Sequence, residues 1–177
     1  MTGVLLVGGA SRRFGSPKAL ARLDGETLAE RVWGVLGEAC DERIAVGKAA
    51  DALALPFPVV DDGCDVRAPI AGVIAGLRAA SNDVCVFVPV DCPFIAPHTV
   101  QILAAEAPSS VPSGPLPGAY RRDILPRLED KLARGEYTLR DLTATVVAVD
   151  SEELANVNTR AELEALQARS SGSTRSP

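Results

Sequence analysis

The chain has 177 residues, 47% of them hydrophobic and only 4% aromatic, with a net charge of −5. That length suits one compact domain of the usual ~100–200 residues, and the composition excludes global disorder while requiring a core of Val, Leu, Ile and Ala. The acidic balance excludes a broad basic face, and with it general binding to nucleic acid or to an anionic membrane surface.

In chain order, residues 3–7 are a short apolar run ending at Gly8-Gly9, a buried strand running into a turn. Residues 27–40 carry Leu28, Val32, Val35, Leu36 and Ala39 at helical spacing, and Thr27 with Glu30 matches a capping box. Strands are expected over 42–47 and 58–60, the second closing at Asp61-Asp62-Gly63. Residues 70–80 read as an apolar helix in which Gly72 and Gly76, four apart, permit close packing on a sheet. Residues 83–90 give the strongest strand, continuous and β-rich, as at the buried centre of a parallel sheet. A helix over 97–107, short strands at 110–111 and 116–120 and a helix over 123–133 come next. A strand over 145–150 and a last helix from 159 to about 167 complete the domain, expected to span 1–167, and 168–177 read as a frayed tail.

The longest apolar run, 84–90, is far short of the ~18 residues of a membrane span. No basic residue precedes the apolar run 4–7, so no secretory signal is expected. Cys40, Cys64, Cys85 and Cys92 form no C-x-x-C pair, and the lone His98 completes no zinc set. A reduced, cytoplasmic protein follows from these readings.

A β-α-β-α-β opening predicts an α/β fold with a mainly parallel central sheet and helices on both faces. Such sheets bind ligands in the crevice at the carboxyl ends of their strands, which directs attention to the loops 8–18, 61–69 and 91–96. The first reads Leu6-Val7-Gly8-Gly9-Ala10-Ser11-Arg12-Arg13-Phe14-Gly15-Ser16-Pro17-Lys18. Its three glycines let backbone N–H groups turn toward a phosphate. Arg12, Arg13 and Lys18 concentrate positive charge; Lys18 is one of only three lysines, with Lys48 and Lys131. A glycine-rich turn with solvated arginines would account for the same residues. Neither the Walker A pattern nor G-x-G-x-x-G is met. Asp91, at the tip of the strongest strand, is suited to Mg²⁺, which takes one or two carboxylates plus phosphate oxygens and waters; capping of the following turn is the simpler use. Asp61 and Asp62 end the preceding strand, where an ordinary Asp-Asp-Gly turn is equally consistent. Asn156-Val157-Asn158-Thr159 supplies two amides and an N-cap before the last helix.

L-x-G-G-x-S-x-R-x-G-x-x-K, an acidic strand end, Pro69-Ile70-Ala71-Gly72, Asp91-Cys92-Pro93-Phe94 and Asn156-Val157-Asn158-Thr159 occur here in that order over about residues 3–167. The set resembles the molybdenum cofactor guanylyltransferase family, within the nucleoside-triphosphate transferases of three-layer, Rossmann-like fold. The resemblance implies GTP and molybdopterin cofactor as substrates, Mg²⁺ as cofactor, pyrophosphate as product, and molybdoenzyme maturation proteins as candidate partners. It implies that Leu6, Val7, Gly8 and Gly9 hold the nucleotide, that Arg12 and Lys18 grip the triphosphate, and that Asp91 holds Mg²⁺. It also implies that Asp61 lies beside the nucleoside, and Asn156 and Asn158 toward the metal or the acceptor phosphate. Arg12, Lys18 and Asp91 are thereby the expected catalytic residues. Departures from the pattern include Pro17 before Lys18, a form also similar to the cytidylyltransferases of the same pathway, and Ala68 in place of a glycine. The stretch 109–120 is shorter than in family members. The resemblance leaves open a transferase using CTP or another acceptor, and a non-catalytic nucleotide-binding module.

Overall fold

The computed structural model describes residues 1–8, 17–157, 159 and 161–165. The parallel strands are β1 (Thr2–Leu6), β4 (Glu42–Gly47), β5 (Val59–Asp61) and β6 (Val84–Pro89). They stand in the order β5-β4-β1-β6, and the sheet continues through β8 (Gly114–Arg121), β7 (Ser109–Val111) and β9 (Thr145–Val146). Only β8 runs antiparallel to its neighbours, so the seven-stranded sheet is mainly parallel. Strand β1 is buried along its whole length, and its side chains alternate faces as the period of two requires. Leu5 packs with α1 (Leu28–Ala39) and α3 (Pro97–Ala105), while Val4 and Leu6 pack with α2 (Pro69–Ala79) and α4 (Leu125–Ala133). These are the three layers.

Local sequence explains where the helices start and stop. The Thr27 hydroxyl accepts from the Glu30 N–H at 3.1 Å, and the Glu30 carboxylate accepts in return from the Thr27 N–H at 2.9 Å. Both bonds satisfy N–H groups that helix geometry leaves without intrahelical partners. Helix α3 ends at Ala105, two residues earlier than the hydrophobic run suggests, because Pro108 disfavours helical geometry at the residue before it. Strand β9 keeps only two residues of the expected six. A hairpin of β2 (Arg22–Leu23) and β3 (Glu26–Thr27) turns at Asp24-Gly25, where φ is +52° and +90°. The sequence reading leaves this hairpin out, although Asp-Gly is the residue pair that two-residue hairpin turns favour. The last helical stretch is described over 161–165 and is capped by Thr159, whose hydroxyl accepts from the Glu162 N–H.

The four cysteines are free thiols. Cys85 is fully buried in β6, where burial pushes its thiol up to about 11. No described helix is long and apolar enough to cross a membrane.

Gly72 and Gly76 present the bare face of α2 to the sheet. A Cβ at Gly72 would come within 2.8 Å of Leu6 Cδ2, and one at Gly76 within 2.6 Å of Phe87 Cε1 and 2.9 Å of Val4 Cγ1. Gly76→Ala is therefore expected to destabilise by about 1–3 kcal/mol, since overpacking a filled core forces rotamer and backbone shifts that outweigh the gain in helix propensity. Urea denaturation checks this, and a gain in stability would show that α2 does not rest on Phe87.

Candidate active site

The chain leaves β1 toward β4 on one side and leaves β6 toward the other, so the loops after these two strands diverge. The backbone holds them together just before they part: Val7 N–H donates to Val46 O at 2.9 Å, and Val90 N–H donates to Leu6 O at 3.1 Å. Beyond this point a cavity of about 640 Å³ opens across the strand ends, at the switch point where open α/β sheets take their ligands.

Lys18 and Asp91 meet in this cavity. Lys18 begins a short 3₁₀ turn, Lys18–Leu20, fastened by Ala19 in the core. Asp91 stands between Val90 and Cys92, both buried. Its backbone carbonyl accepts from the Val157 N–H at 3.0 Å, which ties the Asn156 segment to the end of β6. The Lys18 ammonium lies 3.3 Å from Asp91 Oδ2, with the two side chains 14% and 27% exposed. The pair is thus sheltered yet open to a ligand. Asp91 Oδ1 has the Cys92 thiol at 3.8 Å, and that thiol also donates to Asn156 Oδ1 at 3.1 Å. Burial, and then the Asp91 charge, push the Cys92 thiol well above its ordinary range, so it stays a protonated donor.

Leu6, Val7, Gly8, Lys18, Asp91 and Asn156 all line this one cavity. Gly9, Arg12, Arg13 and Asn158 lie outside the described residues. Asp61 does not line the cavity; it is exposed, and its carboxylate accepts from the Ala49 N–H at 2.9 Å, capping a 3₁₀ turn at Ala49–Asp51. Asp62 is the acid that faces inward, and Lys48, at the end of β4, pairs with it. The sequence reading gives Lys48 no role, although a lysine directly after a buried strand, in a chain with three, is a usable signal. His98 stays out of the site, 66% exposed and 3.3 Å from Glu153.

The opposite wall comes from two later segments. The β7–β8 connection, Pro112-Ser113, places Ser113 to Leu116 on the cavity rim, and the chain after α4 adds Tyr137 to Arg140. That second segment is anchored from beneath. The Lys131 ammonium, on a side chain only 5% exposed, donates to both Asp141 oxygens at 3.0 Å, and Arg127 reaches the same carboxylate.

A carboxylate oxygen at Asp91 suits a hard divalent cation. Among the described residues no group of three His, Cys, Asp or Glu side chains could cage a metal. One carboxylate supplemented by substrate phosphates is the arrangement Mg²⁺ uses, so the residues present fit that ion.

Residues 3–154 match the family model described as MobA-like NTP transferase domain. A Mycobacterium tuberculosis relative named "Probable molybdenum cofactor guanylyltransferase" is 31% identical, with 93% of this chain and 92% of the relative covered. A Chloroflexus aggregans relative of the same name is 32% identical, over 95% and 94% of the two chains. The fold is similar to that of molybdopterin-guanine dinucleotide biosynthesis protein A from Archaeoglobus fulgidus, with a TM-score of 0.78 at 24% identity over 97% of this chain and 100% of that one.

The anchoring of the far wall has a pH signature. Hydrogen bonds from Lys131 hold the Asp141 carboxyl below its ordinary value. A carboxyl lowered by folding contributes stability that is full above its unfolded value, ~3.9, and is lost as pH falls through the lower folded one. Hydrogen exchange of 136–142 is expected to accelerate, beyond its intrinsic pH dependence, as pH drops below ~4. In Lys131→Met that extra pH dependence should shrink to the part Arg127 sustains, and in Asp141→Asn it should vanish; its persistence in Asp141→Asn would remove Asp141 as the anchor.

Proposed function

This chain belongs to the MobA-like NTP transferase domain family and is a nucleotidyltransferase; from that premise we propose that it transfers GMP from GTP to a molybdopterin-type cofactor, releasing pyrophosphate, with Mg²⁺. The observation that carries this reading is the Lys18–Asp91 pair at the switch point, with a cavity extending from it in both directions along the sheet edge. Two substrates must meet at one phosphorus, and a crevice with its charged centre in the middle accommodates one on each side. The names of the relatives supply the nucleotide and the acceptor.

In this reaction an oxygen of the acceptor phosphate forms a bond to the α-phosphorus of GTP. The bond from that phosphorus to the bridging oxygen breaks, and pyrophosphate leaves with the electron pair. The attacking phosphate monoester is already largely ionised near neutral pH, so no general base is required. Positioning and charge neutralisation then carry most of the catalysis. Lys18 neutralises charge on the triphosphate, held in place by its 3₁₀ turn, and Gly8 lets the backbone approach the nucleotide. Asp91 would hold the metal, which when bound supplies charge neutralisation between the phosphates. Asn156 turns its carbonyl oxygen to the Cys92 thiol, leaving its amide N–H groups for an acceptor oxygen. The same proposal includes Arg12 on the triphosphate, Gly9 on the nucleotide and Asn158 on the acceptor side. It also includes a cytoplasmic location and molybdoenzyme maturation proteins as recipients of the product.

Pyrophosphate release from GTP in the presence of molybdopterin tests the reading. Lys18→Ala should lower turnover by about 10²-fold or more, the usual cost of one preorganised charge-stabilising donor. Asp91→Asn should lower activity and raise the Mg²⁺ concentration needed for half-maximal rate. Metal dependence unchanged in Asp91→Asn would reduce Asp91 to a structural residue, and no release by the wild type would overturn the transfer itself.

A further inference from the structure

We propose that Cys92 is a positioning residue whose thiol fixes which end of the Asn156 amide faces the cavity, and thereby sets the affinity for the acceptor phosphate. This rests on the nucleotidyl-transfer reading above and adds the residue that aims one of its contacts. Cys92 follows Asp91 in the turn that ends β6. Its N–H donates to Pro89 O at 3.1 Å and its carbonyl accepts from the Ile95 N–H at 3.4 Å. The residue is only 2% exposed and belongs to the core cluster that includes Val90, Ile95 and Val157. From that core the sulfur reaches Asn156 Oδ1 at 3.1 Å, joining positions 64 residues apart in the chain.

Three observations separate this thiol from a small apolar filler. First, the backbone settles where Asn156 stands but not how its side chain is turned. The neighbouring Val157 is fully buried, and its N–H donates to Asp91 O at 3.0 Å. The last torsion of an asparagine is broad and roughly two-fold, so its carbonyl and amine ends exchange places unless a partner tells them apart. Second, the thiol is such a partner. An S–H group donates, whereas sulfur accepts only weakly, so the carbonyl end is favoured beside it. Its single proton goes to Asn156, because Asp91 Oδ1 lies farther off at 3.8 Å. Among the described residues no other group hydrogen-bonds the Asn156 side chain. Third, Asn156 is exposed and lines the cavity, so the end turned away from the thiol is the end a ligand meets.

The polarity matters because an ionised phosphate only accepts hydrogen bonds. The amine end of Asn156 donates to it, and the carbonyl end repels it. One hydrogen bond to a charged group is worth about tenfold or more in affinity. Without the thiol, holding the amine outward would leave Oδ1 against the core with no donor, a cost of similar size. The side chain would then turn away, and the acceptor would lose the contact. GTP, whose triphosphate is served by Lys18 and Gly8, does not depend on this orientation.

The test is steady-state pyrophosphate release by the full chain with GTP and Mg²⁺, at varied molybdopterin. Cys92→Val removes the donor and keeps the core filled. It is expected to raise the KM for molybdopterin about tenfold, with kcat, the KM for GTP and the Mg²⁺ demand each within about twofold of wild type, the pattern of a lost binding contact. Cys92→Ser keeps a donor and should bring the KM for molybdopterin back to within about threefold of wild type. In an Asn156→Ala background Cys92→Val should change that KM no further, since residues acting through one contact are not additive. An unchanged KM in Cys92→Val, no rescue by serine, or an equal further loss in the Asn156→Ala background overturns the assignment. A raised Mg²⁺ demand in place of a raised KM for molybdopterin also overturns it, by showing that the thiol acts on Asp91. Should Cys92→Val fail to fold, Cys92→Ala carries the same comparison. These outcomes leave the transfer reading standing, whereas no pyrophosphate release by the wild type overturns that reading and this inference with it.

Discussion

The arrangement depends on β1 lying between β4 and β6 with both of its faces buried. After β1 the chain crosses to β4 on one side, and after β6 it crosses to the other side, so the strand order reverses between these two neighbours. The loops after β1 and β6 consequently part, and the gap they leave is where Lys18 and Asp91 meet. The precision of the gap comes from packing. Leu5, Val86 and Val88 load one face, while Val4, Leu6 and Phe87 load the other, and the bare glycine face of α2 lets that helix settle onto Phe87. The strand ends, and the side chains on them, inherit the rigidity of that core.

An acidic chain can still receive a triphosphate because the relevant field is local. A net charge of −5 excludes broad polyanionic surfaces such as DNA. It does not govern a sheltered cavity, where nearby side chains dominate and screening by salt is weak. The described wall carries Lys18, Lys48, Arg67 and Arg140 against Asp62 and Asp91. The acids there are paired with lysines 2.8 Å and 3.3 Å away, so neither stands as a bare negative charge against a phosphate. All three lysines of the chain are engaged at the crevice or beneath its far wall, and Lys131 acts through Asp141.

Much of this was legible in the residues because it is encoded locally. Thr27 and Glu30 sit three apart, as a capping box must, and the cap is formed. Gly72 and Gly76 lie on one helical face and meet the sheet. Residues 84–89 have no polar interruption, and they form the central strand. Other features were carried by local signals but overshadowed: Asp24-Gly25 marks a hairpin too short to show alternation. The choice between Asp61 and Asp62 was of another kind. Neighbouring residues at a strand end point in opposite directions, and nothing in the order of two aspartates says which faces the cavity. Lys48 was missed because its partner is 14 residues away, and Tyr137 to Arg140 because they reach the rim only through the anchoring of Asp141.

The sequence by itself determined the layered α/β class, the mainly parallel sheet, and the loops that could bear chemistry, since hydrophobic period, capping and turn residues act over a few positions. It also carried the family membership, through motifs spread over nearly the whole chain. Tertiary structure alone decided which charges share one cavity. Lys18 with Asp91 and Lys48 with Asp62 are pairings across strands, set by register and by the switch in strand order. Contacts of that kind depend on how distant segments stack, which no local pattern specifies.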